Sequence, residues 1–327
     1  MKRFTTYLKL CSKQILFAGV LLLLFQSVAG QNIFINRGNK AFEEMAYPEA
    51  ILNYEKGLKN KFDKGAMLKL ADAYRFTNDN DKALPLYAKL VKLNKIPPVT
   101  YFYFGQSLLK AGKFDEASTW FARYVETNPS DQRGKHFLSS TKSIDRLFKD
   151  SSNIQLSAFP YNSELDDFSP IWYREGILFS SSRGDGDLIS STYEWNDQPF
   201  LDIYFAKQKD EKWSFSKPKL LRGTLNTRFH EGTCSWDSLK HIAYFTRNSF
   251  SNGKKSPDEN GILNLQVYQA EINRMGHWEY AKALPFNNKA WSVGHPAVVP
   301  NENALIFASD QPGGYGGTDL YLVRETE

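Results

Sequence analysis

The side chains that most often carry chemistry are few and scattered in this sequence of 327 residues. Its five histidines, His136, His230, His241, His277 and His295, stand apart from one another. None belongs to H-E-x-x-H or another metal-ligand spacing, in which two imidazoles on one helical face would hold zinc. No G-x-S-x-G turn presents a nucleophilic serine. Of the two cysteines, Cys11 falls in a segment expected to be removed, so Cys234 stands alone. One thiol can neither close an intrachain disulfide nor build a cysteine metal site. Cys234 lies in the strand-like stretch Gly232-Thr233-Cys234-Ser235-Trp236 and is expected to be a small buried apolar residue, not a nucleophile. No catalytic residue, metal or cofactor is assigned.

The loops offer equally little chemistry. Gly313-Gly314-Tyr315-Gly316-Gly317 leads into a strand pattern, so it lacks the helix N-terminus on which a phosphate loop depends. Arg183-Gly184-Asp185 is expected to be a β-turn, given the turn chemistry of Gly and Asp. Asp185 and Asp187 are the candidate Ca²⁺ ligands, but the remaining oxygens of a full set, about six to eight, are not evident. Ser256-Pro257-Asp258-Glu259-Asn260-Gly261 has its Gly one place late for an Asp-box turn.

With 42% hydrophobic and 24% charged residues, the composition is that of a soluble globular chain with room for two domains. The formal charge of +5 has a local source. Residues 1–30 carry Lys2, Arg3, Lys9 and Lys13 and no acid, so the rest is close to neutral. A near-neutral body is a poor polyanion binder, and no nucleic-acid partner is expected. The same segment reads as a signal peptide: a basic start, the apolar run Ile15–Phe25, then Val28-Ala29-Gly30 before Gln31. The run is short for a membrane span, although an uncleaved anchor is the alternative. Cleavage would leave residues 31–327, exported to the periplasm and without a membrane span.

Three segments then repeat a pattern: Gly38 with Ala50 and Tyr54, Ala71 with Ala83 and Tyr87, and Gly105 with Ala117 and Phe121. The alanines at 50, 83 and 117 recur every 33 to 34 residues. A small residue late in one helix and an Ala early in the next let two helices approach closely. The aromatic four residues after each Ala shares its helical face and is expected to fill the gap to the following pair. These segments resemble tetratricopeptide (TPR) repeats over roughly Asn32–Pro129. Ala41 departs from the usual aromatic, and Lys95 stands where a closing Pro is common. Residues 130–149 read as a capping helix, giving a TPR domain over 31–150. The resemblance implies a groove that binds a peptide or partner helix. Its carried-over positions are Ile35, Asn39, Leu68, Asp72, Arg75, Phe102, Tyr103, Gln106 and Lys110. The basic set of a carboxylate clamp is absent, since Ile35 and Leu68 stand at key places. A spacer role for the repeats is the alternative.

From 151 to 327 the texture is all-β: short apolar strands separated by Gly, Asn, Asp and Ser turns. Ile177–Arg183, Ile242–Asn248 and Leu305–Asp310 repeat as hydrophobic strands, each expected to be buried and each followed by a Tyr-bearing strand at Tyr204, Tyr268 and Tyr321. A Trp after each blade, at Trp213 and Trp278, is expected to pack between sheets. Phe307-Ala308-Ser309-Asp310-Gln311-Pro312-Gly313-Gly314-Tyr315-Gly316-Gly317-Thr318-Asp319-Leu320-Tyr321 closely resembles the WD40-like PD40 propeller repeat, and Asn226-Thr227 with Glu231 matches the N-T and E before its inner strand.

The fold class expected is therefore α + β multidomain: an all-α TPR superhelix followed by all-β propeller blades. Three blades are fewer than the roughly four of a closed propeller, so completion is expected, by further chain or by another chain. A leader, TPRs and PD40 blades in this order are similar to OmpA-associated envelope proteins, some of them parts of the type IX secretion system. That resemblance implies a non-enzymatic periplasmic scaffold tied to the outer membrane or cell wall. Its partners would be envelope or secretion-machinery proteins, and peptidoglycan only through an OmpA-like domain that this sequence lacks. Rival readings are an exported carbohydrate- or peptide-binding propeller and a propeller hydrolase.

Overall fold

The computed structural model describes residues 32–59, 61–149, 151–184, 192–210, 213–223, 225–227, 229–251 and 254–325. The segment 1–30, read as a leader, and the calcium candidates Asp185 and Asp187 lie outside the described residues. Two compact units result: one reaches Leu156 and includes Glu194–Asp197, and the other holds the rest from Ser157 onward. No described helix is long and apolar enough to cross a membrane.

The first unit is built of helices α1 (32–43), α2 (Tyr47–Leu58), α3 (Lys64–Phe76), α4 (Asn80–Leu90), α5 (Val99–Lys110), α6 (Phe114–Thr127), α7 (Gln132–Lys142) and the short α8 (Ile144–Phe148). Three begin on an aspartate whose carboxylate accepts a backbone N–H of the first turn: Asp63 from Ala66, Asp79 from Lys82 and Asp131 from Arg133. Such caps satisfy donors that a helix start leaves unpaired. Consecutive helices from α2 to α7 pack on one another.

Close approach follows from the small residues. A Cβ placed on Gly38 would stand 2.8 Å from the Tyr54 ring, and one on Gly105 would stand 2.7 Å from the Phe121 ring. Ala50, Ala83 and Ala117 are fully buried, as are Tyr54, Tyr87 and Phe121. Tyr54 and Phe121 therefore seat on the glycine of their own helix pair. Tyr87 and Phe121 also reach the following helices, as expected: Tyr87 lies 6.4 Å from Tyr103 of α5, and Phe121 lies 5.2 Å from Phe137 of α7, ring centre to ring centre. The segment Glu194–Asp197 adds Trp195 to this unit, edge-on to Tyr47 and Phe76 and with its Nε1 donating to the Phe76 carbonyl at 3.1 Å.

The second unit is antiparallel β. Its first sheet has the order β1 (Asp167–Tyr173), β2 (Gly176–Ser181), β5 (Asp202–Lys207), β6 (Lys219–Leu220), with the hairpin β3 (Thr192–Tyr193) and β4 (Gln198–Pro199) inserted. The second has the order β7 (Glu231–Asp237), β8 (Ile242–Asn248), β11 (Leu265–Ile272), β12 (Trp278–Ala283), with β9 (Phe250–Ser251) and β10 (Lys254–Lys255) inserted. The third is β13 (Val293–Val299), β14 (Ala304–Ser309), β15 (Asp319–Arg324).

One apolar cluster, including Leu178, Ile203, Phe245 and Trp278, joins the first two sheets. Another, including Val267, Val293, Leu305 and Phe307, joins the second and third. The hydrophobic strands β2, β8 and β14 each lie between two partners in their sheet. The ring of sheets is not closed. Leu320 and Leu322 on the far face of the third sheet are 78% and 52% exposed, whereas Leu178 and Ile203 on the matching face of the first are fully buried. Trp278 is buried between sheets as expected, but Trp213 is exposed, although its neighbour Phe215 is buried and bridges to Gln208 just after β5.

Repeated polar devices join the sheets. Each first strand carries a bulge with a left-handed residue: Ser169, Thr233 and His295, at φ of 55°, 35° and 55°. The bulge turns its N–H toward the preceding sheet. Thr233 donates to Ser180 Oγ at 3.1 Å, and His295 donates to Thr246 Oγ1 at 2.8 Å. Asn226 clamps Ile203 by accepting from its N–H and donating to its carbonyl, at 2.9 and 3.1 Å. Asn287 does the same to Val267, at 2.9 and 2.7 Å.

Candidate functional site

The nine groove positions carried over from the sequence sit on α1, α3 and α5. Two are corrections. Ile35 and Phe102 are 8% and 2% exposed and belong to the helical core, Phe102 against Phe121, Tyr124 and Phe137. They occupy matching places in their repeats with Leu68, which is partly buried against the same core. An apolar side chain there serves packing.

Asn39, Asp72 and Gln106 each follow the small residue of their repeat. The Tyr54 hydroxyl donates to Asn39 Oδ1 at 2.9 Å, and the Tyr87 hydroxyl donates to Asp72 Oδ1 at 2.6 Å. In the third repeat the aromatic is Phe121, which has no hydroxyl, and Gln106 lines an open cleft instead. Burial, with the nearby acid, pushes the Tyr87 phenol well above its ordinary range, so it stays a donor to Asp72.

Arg75 is held on all sides. Its Nη2 lies 3.2 Å from Asp72 Oδ1, its Nε donates to the Tyr87 hydroxyl at 3.1 Å, and its guanidinium lies over Phe76 and Tyr103 at 4.2 and 3.9 Å. Tyr103 thus acts as one wall of a cation–π clamp. This arrangement makes Arg75 a fixed charge, with its side chain ordered before any ligand arrives.

Arg75, Gln106 and Lys110 come together around a cleft of about 320 Å³ that also takes in Asn78, Asn80 and Phe137. Lys110 Nζ is exposed and donates to Asn78 Oδ1 at 2.7 Å, while Asn80 Nδ2 donates to the Ser107 carbonyl at 3.1 Å. Two cations and three amides facing one space suit an extended peptide: amides pair with its backbone and the cations with an acidic group. Asn39 and Leu68 do not line this cleft. Sequence reasoning missed Asn78, in the turn after α3, Asn80, the first residue of α4, and Phe137, on the helix read only as a cap. The left-handed φ of 62° at Asn78 is typical of Asn in turns, and the run Asn78-Asp79-Asn80 was the available signal.

The second unit holds its ionisable groups in structural pairs. Glu231 is fully buried, accepts from Thr227 N at 3.0 Å and from Thr227 Oγ1 at 2.7 Å, and pairs with Arg247 at 2.7 Å. This explains the Asn226-Thr227 and Glu231 pattern as a buried cap. Asp167 repeats it with Ser163 and with Arg183, at 2.5 Å. Cys234 is buried, and burial pushes its thiol up to about 12, which disfavours the reactive thiolate. Asp258 accepts from the N–H groups of Asn260 and Ile262, a turn-forming role. Among the described residues no group of three His, Cys, Asp or Glu could hold a metal ion.

No protein-family profile matches the chain, and no curated protein matches it. Solved structures similar to the helical region include the first TPR of Spaghetti (RPAP3) bound to the HSP90 peptide SRMEEVD, 23% identical, with TM-score 0.32, covering 36% of this chain and 94% of that one. The Arabidopsis OM64 TPR domain is 16% identical, with TM-score 0.32 and coverage of 36% and 98%. YrrB, a TPR protein with an unusual peptide-binding site, is 24% identical, with TM-score 0.34 and coverage of 36% and 60%. The TPR-like character of the first unit stands on its own packing: a buried small residue, alanine and aromatic, repeated three times at one period.

Proposed function

We propose that this protein is a non-enzymatic scaffold or adaptor of the cell envelope, exported by its leader and working by protein–protein contact. The observation that carries this reading is the cleft where Arg75, Gln106 and Lys110 converge. Its polar groups are pre-ordered by internal contacts, which lowers the entropic cost of holding a partner segment. The occupant is an extended peptide bearing a carboxylate, with Lys110 as the adaptable charge and Gln106 as the backbone reader. The β unit supplies further surface for assembly. Membership in a type IX secretion or peptidoglycan-associated outer-membrane complex follows from the order of leader, TPR repeats and PD40-like blades.

Binding of a library of acidic peptides to the purified chain tests the cleft. Lys110→Glu is expected to weaken the best binder by about tenfold, the range of a charge-assisted contact. Equal affinity in Lys110→Glu and Gln106→Ala would remove the cleft from the function. Cleavage of the leader has its own check: the mature protein is expected to begin at Gln31, and a retained Met1 would contradict it in favour of an uncleaved anchor.

A further inference from the structure

One segment of the helical unit comes from outside its repeats: Glu194–Asp197. Its Trp195 stands edge-on to Tyr47 at 4.8 Å and to Phe76 at 5.7 Å, and its Nε1 donates to the Phe76 carbonyl at 3.1 Å. Phe76 is the last residue of α3, and a carbonyl at a helix end has no partner within the helix. Trp195 therefore holds Phe76 twice, by its ring and by its carbonyl. Tyr47 stacks on the same ring at 4.8 Å and 23°. Phe76 also touches a charge. The Arg75 guanidinium lies over its ring at 4.2 Å, with Tyr103 as the second aromatic wall at 3.9 Å. Arg75 lines the cleft with Gln106 and Lys110, and Trp195 does not.

We infer that Trp195 is a positioning residue for the cleft, acting through Phe76 on Arg75, an inference that rests on the reading of the cleft as a peptide site. A cation–π contact needs the cation over the ring face, so the orientation of Phe76 decides how firmly Arg75 is held. Without the indole, Phe76 keeps Tyr47 but loses an edge contact and the donor to its carbonyl. Its ring gains freedom, and the guanidinium resting on it gains freedom too. Asp72 and Tyr87 still engage the Arg75 nitrogens, so the effect is graded. An arginine that is loose beforehand must be ordered when a partner binds, and that cost lowers affinity. The coupling runs both ways: a peptide that pins Arg75 also tightens the seat of Trp195.

Two readouts on the full chain separate this inference from the reading beneath it. The first needs no ligand: the Arg75 Nε–H resonance of isotope-labelled protein, assigned by its loss in Arg75→Lys. In the native chain the Phe76 and Tyr103 rings are expected to displace it from its free position. Trp195→Ala is expected to move it back toward that position and to speed its exchange with solvent at least about fivefold. Trp195→Phe, which keeps an aromatic edge, is expected to fall between the two. The second readout is isothermal titration with hexaglutamate, expected to bind about threefold more weakly in Trp195→Ala. An Arg75 resonance unchanged in both variants would overturn the inference, even if the thermal melt falls, because Trp195 would then serve stability alone. A displaced resonance with unchanged hexaglutamate affinity would overturn it as well. A displaced resonance in a native chain that binds no hexaglutamate would instead overturn the peptide reading of the cleft, and the role of Trp195 with it.

Discussion

Gln106 is left to the cleft because one hydroxyl is missing. In the first two repeats a tyrosine occupies the polar side chain at the matching place, Tyr54 with Asn39 and Tyr87 with Asp72. Phe121→Tyr is therefore expected to fold, to engage Gln106, and to weaken peptide binding about fivefold, the worth of one net hydrogen bond. Unchanged affinity would show that Gln106 does not contact the peptide. His230 carries a pH dependence. Its Nδ1 accepts from Leu201 N at 3.0 Å, its ring lies against Tyr193 and Phe200, and burial lowers its pKa from 6.5 to about 4. The unfolded chain then binds more protons between those values. Stability from this residue is complete above about pH 6.5, falls as the pH drops toward 4, and levels off below, a loss of about 3 kcal/mol. Urea unfolding at pH 7 and pH 4.5 should show a smaller difference in His230→Gln than in the native chain; an identical difference would exclude His230 as its source.

The elements were legible in the sequence to the extent that they repeat. The period of about 34 residues marked the helix pairs because each pair needs a small residue where two backbones approach, and Gly38 and Gly105 supply it. The aromatic's reach to the next pair was legible, as Tyr87 with Tyr103 and Phe121 with Phe137 show, but the seat of Tyr54 and Phe121 on their own pair's glycine was not, since spacing along one helix does not say which neighbour lies beneath it. Burial of Ile35 and Phe102 was missed for a related reason: a first-helix position shows the groove or the core depending on a rotation of a few tens of degrees. In the β unit, Asn226 and Glu231 were visible as letters, but their partners Ile203 and Arg247 became evident only with strand register. Register also assigns Ser180 and Thr246 to one role, accepting an N–H from the bulge of the next sheet. Thr246→Val keeps the shape and removes the acceptor for His295 N. A loss of about 1–3 kcal/mol is expected in denaturant unfolding of the β unit, because the partly buried donor is left unpaired and the Thr233 Oγ1 contact at 2.7 Å is lost with it. A change below about 0.5 kcal/mol would mean that the bulge is held by backbone pairing alone.

At the scale of the molecule, each unit has its own core, of helices in one and of stacked sheets in the other. Two calorimetric transitions are expected. Gly105→Ala, whose methyl meets the Phe121 ring, should lower one of them, with overpacking of about 1–3 kcal/mol. Glu231→Gln leaves Arg247 buried without its counter-charge and should lower the other, by about 3–5 kcal/mol. A single transition moved by both variants would contradict separate cores. The central claim is that the helical unit grips a partner through the cleft at Gln106. The most direct measurement places a photo-crosslinking amino acid at Gln106 in the producing cell, and a second on the exposed Glu126 of α6 as a control. The account predicts one discrete protein adduct from Gln106, lost when Lys110→Glu is added, and none from Glu126. No adduct at Gln106, or the same adduct from both positions, would contradict it.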